Sequence, residues 1–199
     1  MESYNYKFPA DLIAKKPASP RDSARILVYQ KNKGRIFYGR FKNIINYLPK
    51  NAVLVFNETK VLPAKLILKK ETGGLVQILY FDRGKEHIKV MSNKRLLSGK
   101  KIFFNSKIFF TVSKMDGRYY LLKPNFPVKD SHKILEKYGL TPLPPYIKNS
   151  PLSEKKLKQE YQSVFAKNKG SIAAPTASLH FTKKLLKDIR KSGRGAAFI

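Results

Sequence analysis

Cysteine is absent from the 199-residue chain, and histidine occurs only three times. The lack of cysteine excludes disulfides, zinc–cysteine sites, iron–sulfur clusters and a thiol nucleophile, and three histidines leave little for a metal site. Apolar runs stay well short of the roughly 18 residues of a membrane span, and the N-terminal MESYNYKFPADLIAKK lacks the apolar core of a signal peptide. These absences predict a cytoplasmic protein with no metal site and no membrane partner.

Acidic side chains are also scarce, because 13 Asp and Glu oppose 41 Lys and Arg and leave a formal net charge of +28. The surplus is spread along the chain and is not confined to one tail. It suits a polyanionic partner such as a nucleic acid. A lysine-rich solvated surface, set by the composition of the source genome, accounts for it equally well. Charge therefore supports a nucleic-acid partner without identifying one.

The order of apolar runs and turn residues predicts several elements. Residues 24–30 and 35–41 form a predicted hairpin, and NAVLVFN (51–57) is typical of a buried strand. From about residue 65, short β-rich runs alternate with Gly, Asn and Asp turns, which indicates a small antiparallel barrel or sandwich. The predicted strands in this part are LVQILYF (75–81), HIKVM (87–91), KIFF (101–104), KIFFTV (107–112) and RYYLL (118–122). Further on, SEKKLKQEYQSVFA (153–166) is predicted to begin as a helix and end as a strand, and a second helix is predicted from a Thr182 cap to Arg190.

Generic nucleotide and metal motifs such as GxGxxG, GxxxxGK[ST] and HExxH are missing. The loop PASPRDSARILV presents Arg21, Asp22 and Arg25 just before a strand. Either the arginines bind a phosphate or carboxylate, or Asp22 pairs with an arginine and holds the loop.

Polar residues follow the predicted strand at 51–57. In VFNETKVLPAKL they include Asn57, Thr59 and Lys60. They lie either at the strand edge where ligands bind in sheets flanked by helices, or in a simple turn between two strands.

Two later segments combine aromatic or small residues with polar ones. Tyr146 in TPLPPYIK and Tyr161 in YQSVFA either stack on a base or pack against the neighbouring prolines. The segment GSIAAPTASLHFT carries small residues into a helix start, where His180 is an acid, base or hydrogen-bond donor, or a capping residue.

Six segments, taken in order, resemble one known family. They are PASPRDSARILV, VFNETKVLPAKL, KETGG, TPLPPYI, YQSVFA and APTASLHFT. The family is that of the S-adenosylmethionine:tRNA ribosyltransferase-isomerases of queuosine biosynthesis, and the resemblance runs from about Tyr6 to Ile199. It implies transfer and isomerisation of the ribosyl part of S-adenosylmethionine onto a 7-aminomethyl-7-deazaguanine base in the anticodon region of tRNA. The implied product is epoxyqueuosine in tRNA, with release of adenine and methionine.

The resemblance also implies site residues and partners. S-adenosylmethionine is a consumed cosubstrate, and no cofactor is implied. A proton next to the sulfonium must be removed, so a base is required, and His180 is the implied catalytic residue. The implied substrate-binding residues are Arg21, Arg25, Asn57, Thr59, Lys60, Tyr146, Tyr161, Thr176, Phe181 and Thr182.

Two departures from the family pattern shape the expectations. Ser178 stands where the pattern usually has glycine, which matters if that position needs a positive φ or a close approach of the ligand. Family members continue beyond the GxxxAFI strand, whereas this sequence stops at Ile199. We therefore expect a truncated chain, inactive alone or one half of a split enzyme whose other half is a separate chain. A catalytically dead, basic tRNA- or RNA-binding remnant is the alternative.

Taken together, these observations predict a mixed α+β fold. Residues 1–64 and 149–199 form parts of an α/β domain that is incomplete at its C-terminal side. Residues 65–148 form an inserted, small antiparallel β-barrel module. The apolar GAAFI strand at the end of the chain is expected to lack a partner strand, which would leave an unpaired edge.

Overall fold

The structure is a computed structural model that describes residues 7–199, and its fold is α+β. The chain forms two compact units. The first unit contains the described residues up to Thr59 together with Leu143–Asn168 and Ala174–Ile199, and the barrel unit contains Lys60–Pro142 and Lys169–Ala173. The domain boundaries predicted from the sequence, at 64/65 and 148/149, stay predictions.

Twelve strands and three α-helices, joined by turns and short 3-10 segments, make up the described chain. The helices are α1 (Ser131–Tyr138), α2 (Glu154–Glu160) and α3 (Lys183–Lys191). The strands are β1 (Arg25–Gln30), β2 (Arg35–Arg40), β3 (Val53–Phe56), β4 (Thr59–Val61), β5 (Lys65–Lys70), β6 (Leu75–Arg83), β7 (Ile88–Ser92), β8 (Lys101–Phe103), β9 (Phe109–Asp116), β10 (Tyr119–Pro124), β11 (Asn168–Ser171) and β12 (Gly195–Phe198). None of the helices within residues 7–199 is long and apolar enough to cross a membrane.

The barrel unit is a closed antiparallel barrel in the order β10-β7-β6-β5-β8-β9, which confirms the predicted barrel. Alternate side chains point inward, as strand geometry requires. In β5, for example, Leu66 and Leu68 are buried while Ile67 is exposed. The strand β5 itself is missing from the predicted strands. The barrel core also includes Val76, Ile78, Ile88, Val90, Ile102, Phe110, Val112, Leu122 and Leu135.

Gly139 ends α1, and the reason is a close backbone approach. Its φ is −75°, so left-handed backbone freedom is not what the position needs. A Cβ at this position would lie 1.8 Å from the carbonyl oxygen of Pro63 and 2.5 Å from that of Leu135. Only glycine fits a contact this tight.

The first unit has a separate core around Phe56. Phe56, Phe181, Leu185, Leu186 and Ile189 form a buried cluster in which the two phenylalanine rings meet edge to face at 4.8 Å. Three of these residues lie on one face of α3, as its apolar spacing predicts. The core therefore holds α3 against β3.

Around this core, the predicted hairpin is confirmed as β1 and β2, which pair antiparallel, with Gly34 at φ 58° in the turn. The strand β12 pairs in parallel with β3, so that Gly195 faces Val53 and Phe198 faces Phe56. The expectation that β12 lacks a partner is therefore wrong.

Two further expectations are corrected. The strand at 51–57 is not buried on both faces, because Val53 and Val55 are 64% and 62% exposed while Phe56 is 4% exposed. A continuous apolar run does not show whether one face or both are covered. The segment from Tyr161 to Ala166 forms turns, and the next strand, β11, begins at Asn168 and pairs with β4.

A candidate ligand cleft in the first unit

A cleft of about 160 Å³ opens in the first unit between four segments that are distant in sequence. It brings together five of the residues singled out in the sequence: Arg21, Tyr146, Tyr161, Thr176 and His180. The remaining walls come from the N-terminal loop, the proline-rich segment and the turn before α3, and consist of Ala14, Lys16, Pro17, Ala18, Pro144, Ile147 and Leu179.

Arg21 forms one wall and is held firmly by the C-terminal end of α2. Its guanidinium donates to the carbonyl oxygens of Gln162 at 2.5 Å and Gln159 at 3.1 Å, and it lies 3.5 Å from the Glu160 carboxylate. A cation is favourable at this helix end, where carbonyl groups lack partners within the helix. Arg21 therefore fixes the loop PASPR (17–21), which we call the PASPR loop, to the end of α2. The position of Arg21 in the cleft is set before any ligand binds.

Within the described residues 7–199, Asp22 makes no ion pair with an arginine, so that alternative is wrong. Its carboxylate instead accepts a hydrogen bond from the Thr182 hydroxyl at 3.1 Å. The same hydroxyl oxygen accepts from the Leu185 backbone N–H at 3.1 Å and caps α3, as the sequence predicts. Thr182 thus joins the PASPR loop to the start of α3.

His180 ends the 3-10 turn Thr176–His180 and lies half-buried beside Phe41, with ring centroids 5.1 Å apart. Burial lowers the pKa of the imidazole below its usual 6.5, because desolvation disfavours the charged form. Within residues 7–199 the ring nitrogens have no hydrogen-bond partner. At neutral pH the cleft therefore contains a neutral imidazole that can accept a proton or a hydrogen bond.

The two tyrosines of the cleft differ in exposure. Tyr161 is 6% exposed, and burial, followed by the neighbouring Tyr146, raises the pKa of its phenol above 10. Its hydroxyl is therefore protonated at neutral pH. Tyr146 is 57% exposed, so its ring has a free surface on which a planar group can stack. The pair provides one buried and one accessible aromatic ring at the same cleft.

Ser178 lies in the 3-10 turn between Thr176 and His180 and is buried. Among the described non-glycine residues, only Asn149 has a positive φ. Serine therefore occupies this position without the left-handed backbone that would require glycine.

The other predicted site residues do not line this cleft. Phe181 is buried in the core, with its ring 4.9 Å from that of Phe41, and Arg25 is exposed at the start of β1. Asn57 accepts a hydrogen bond through Oδ1 from the Thr59 backbone N–H at 2.8 Å and another from its hydroxyl, which is a turn closed by a side chain. Lys60 is exposed and belongs to the barrel unit. The ligand roles of these residues stay predictions.

Two residues of the site region were not singled out in the sequence. Lys16 is a second cation beside Arg21 in the cleft wall. Its position directly before the PASPR motif could have identified it as a candidate site residue. Ser163 is 6% exposed, and its hydroxyl has no hydrogen-bond partner within residues 7–199. Buried hydroxyls without a partner are uncommon. The sequence YQSVFA does not show that its serine is buried in this way.

The part of the chain that the structure describes contains no group of three or more His, Cys, Asp or Glu side chains placed to hold a metal ion. The cleft offers two cations, an imidazole, a threonine hydroxyl and two phenols around an apolar interior. This set can bind an anionic or polar group at one side, stack a planar ring and exchange one proton with a ligand.

Comparison with known proteins agrees with this arrangement of motifs. The model of the queuosine biosynthesis protein family matches residues 1–199. A relative from Thermodesulfovibrio yellowstonii, named S-adenosylmethionine:tRNA ribosyltransferase-isomerase, is 43% identical over 95% of this chain and 55% of its own length. A relative of the same name from Aquifex aeolicus is 39% identical over 100% of this chain and 59% of its own length.

A crystal structure of an S-adenosylmethionine tRNA ribosyltransferase from Thermotoga maritima has a TM-score of 0.38 at 22% identity. The match covers 98% of this chain and 56% of that one. Because the family model covers the whole sequence, the chain belongs to the queuosine biosynthesis protein family. It spans between half and three fifths of the length of the curated relatives described here.

Proposed function

We propose that this chain provides the S-adenosylmethionine cleft of an S-adenosylmethionine:tRNA ribosyltransferase-isomerase and works together with a further polypeptide segment. The segment corresponds to the part of the curated relatives that lies outside the match, 41–45% of their length for the two relatives described above. The observation that carries the proposal is the convergence of Arg21, Tyr146, Tyr161, Thr176 and His180 on one cleft. These residues come from four of the six family segments.

The size of the cleft suggests which part of the cosubstrate it holds. Pockets that enclose a drug-sized molecule measure about 300–1,000 Å³, whereas this cleft measures about 160 Å³. We infer that it receives one planar portion of S-adenosylmethionine, the adenine, against the free face of Tyr146. The ribose then lies beside His180, and the methionine part of the cosubstrate extends toward the further segment.

His180 is the proposed acid–base group. Ribosyl transfer requires removal of a proton from the carbon that joins the ribose to the positively charged sulfur. The neutral imidazole of His180 takes that proton onto a ring nitrogen, and the C–H electron pair remains on carbon, stabilised by the sulfonium. Burial favours the neutral imidazole, so the base is present throughout the neutral pH range.

An exposed sheet supports the need for a further segment. The strands β3 and β12 form a two-stranded parallel sheet, and Val53 and Val55 on one face are more than 60% exposed. Parallel sheets are normally covered on both faces, and two strands alone are marginal. A polypeptide that covers this face would complete the first unit.

The experiment measures adenine release from S-adenosylmethionine with precursor tRNA. The chain is mixed with the unmatched segment of the Aquifex aeolicus relative, and each polypeptide is also assayed alone. We expect adenine release only from the mixture, and we expect His180→Ala to lower it at least tenfold. His87→Ala, which removes a histidine from the barrel unit, serves as the matched control.

The outcomes separate this proposal from the alternative function. Near-normal release by the His180→Ala mixture would reduce His180 to a structural role. Absence of release from every mixture, with tRNA still bound by the chain, would favour a basic tRNA-binding protein without catalysis. Robust release by the 199-residue chain alone would contradict the requirement for a further segment.

A further inference from the structure

The connections of an antiparallel barrel alternate between its two ends. The turn after β5 (71–74), the connection after β7 (93–100) and the turn after β9 (117–118) therefore lie at one end. We call this the KETGG end, after the motif that forms its first turn. The turns after β6 (84–87) and β8 (104–108) lie at the opposite end.

Two adjoining clefts, of about 170 and 430 Å³, lie at the KETGG end and share the segment around Arg95 and Leu97. Their walls contain five cationic side chains and one carboxylate. The cations are Lys70, Arg95, Lys100, Lys101 and Lys114, and the carboxylate is Glu71. This excess of positive charge lines a concave surface, where low-dielectric walls concentrate the field.

The single carboxylate is already occupied. Glu71 lies 3.6 Å from the Lys100 ammonium and accepts a hydrogen bond from the Lys101 backbone N–H at 3.2 Å. Within residues 7–199, neither Arg95 nor Lys114 has an ion-pair partner. Their charges are therefore available to a ligand that approaches the clefts.

The clefts also expose apolar surface beside these cations. Leu97 and Met115 are 57% and 62% exposed, and both line the larger cleft. Single-stranded and looped nucleic acids place phosphates against cations and stack unstacked bases on aromatic rings or on arginine guanidinium planes. Arg95 lines both clefts and offers such a plane beside the exposed Leu97. An apolar floor with a cationic rim fits that pattern better than it fits a small anion.

A third cleft of the same barrel provides the contrast. The cleft beside the turn at 84–87 is lined by three cations and three carboxylates, namely Arg83, Lys85, Lys89, Asp82, Glu86 and Asp116. A balanced cleft of this kind attracts a polyanion only weakly. The two clefts at the KETGG end are therefore lined by a clear excess of positive charge, whereas this cleft is not.

We propose that the KETGG end of the barrel is an RNA-binding surface that contacts the phosphates and an unstacked base of the tRNA substrate. The inference rests on the proposed function for the identity of the RNA. The surface itself is defined by the five cations, the neutralised Glu71 and the exposed Leu97 and Met115.

The test compares two triple variants that each remove three positive charges. Arg95→Gln, Lys101→Gln and Lys114→Gln change the KETGG end and leave the ion pair between Lys100 and Glu71 intact. Lys85→Gln, Lys107→Gln and Lys123→Gln are the matched control at the opposite end, where all three lysines are exposed. Circular dichroism verifies that both variants are folded.

Binding of unmodified tRNA is measured as a function of NaCl concentration. Each lost phosphate contact removes about 0.7–0.9 from the log–log slope. We expect the KETGG-end variant to lose roughly 2 units of slope and at least tenfold in affinity at ~0.1 M salt. The control variant is expected to lose less than 1 unit.

Three results would overturn the inference: equal losses in the two variants, no tRNA binding by the unmodified chain, or competition by polyglutamate as strong as that by tRNA. The last result would indicate a surface for acidic polypeptides. Because the assay needs no turnover, it separates the two proposals. Site-dependent binding without adenine release in the mixture would refute the proposed function and leave the RNA surface standing.

Discussion

Replacing Thr182 by valine tests whether this residue acts through structure or through ligand contact. Valine keeps the β-branched shape and removes the hydroxyl. Two interactions are lost together, the cap on the Leu185 N–H and the hydrogen bond to the Asp22 carboxylate, each at 3.1 Å. The structure therefore assigns Thr182 to the junction between the PASPR loop and α3.

The magnitude follows from these two interactions. Loss of an N-cap costs about 0.5–2 kcal/mol, and a hydrogen bond to a charged group contributes about 1.5–3 kcal/mol when it is well buried. Asp22 is only partly buried and regains water when its partner is removed. We therefore expect a loss of roughly 2 kcal/mol, which is about a 30-fold change in the unfolding equilibrium.

The assay is urea unfolding, together with hydrogen exchange of the peptide that contains α3. Thr182→Val is expected to lower the stability and to accelerate exchange at the first amides of α3. Thr182→Ser keeps a hydroxyl at the same position and is the matched control. It should retain most of the stability.

Unchanged stability of the Thr182→Val variant would refute a structural role of the Thr182 hydroxyl. If Thr182→Val unfolds like the unmodified chain but weakens S-adenosylmethionine binding tenfold or more, the hydroxyl contacts the ligand and its cap is unimportant. A double substitution with Asp22→Ala measures the coupling. Additive losses would show that the hydrogen bond to Asp22 contributes nothing.

Two further predictions concern stability. Gly139→Ala should destabilise the barrel unit by several kcal/mol, because its Cβ would lie 1.8 Å from a backbone carbonyl oxygen. Gly74→Ala is the control and should change the stability little, because nothing lies within 4 Å of its Cβ. Equal effects of the two substitutions in urea unfolding would contradict this prediction. Burial lowers the pKa of both His180 and His132, so the unfolded chain binds more protons and the free energy of unfolding should fall as the pH drops through about 6.5. Replacing both histidines by glutamine should flatten that dependence between pH 7.5 and 5.5, and an unchanged slope would contradict the assignment.

Local patterns predicted much of the fold. The hairpin, most barrel strands and the Thr182-capped helix follow from turn residues, alternation and capping chemistry, all of which act over a few residues. The strand β5 was missed because Leu66, Ile67 and Leu68 form only a short apolar run between lysines, without the alternation of apolar and polar residues that marks a half-buried strand. The exposure of Val53 and Val55 was also missed, since hydrophobicity alone does not report what covers a strand.

The site could be predicted only in part, for a physical reason. The cleft depends on contacts between residues far apart in sequence, such as Arg21 with Gln162, which are 141 positions apart. A sequence motif shows that arginine and tyrosine occur, but tertiary packing decides that Arg21 lies in the cleft while Arg25 lies outside it. The same packing directs the Thr182 hydroxyl to a helix cap and Asp22.

The central claim is that the ribosyl part of S-adenosylmethionine is transferred with the help of this chain. It is tested most directly by isotope transfer to precursor tRNA from S-adenosylmethionine labelled either in the ribose or in the methyl group. The chain and the unmatched segment of a relative are incubated together with each substrate. We expect the ribose label, and not the methyl label, to become bound to tRNA, and to be lost when His180 is alanine. Transfer of the methyl label, or no transfer of the ribose label from a mixture that binds both substrates, would contradict the account.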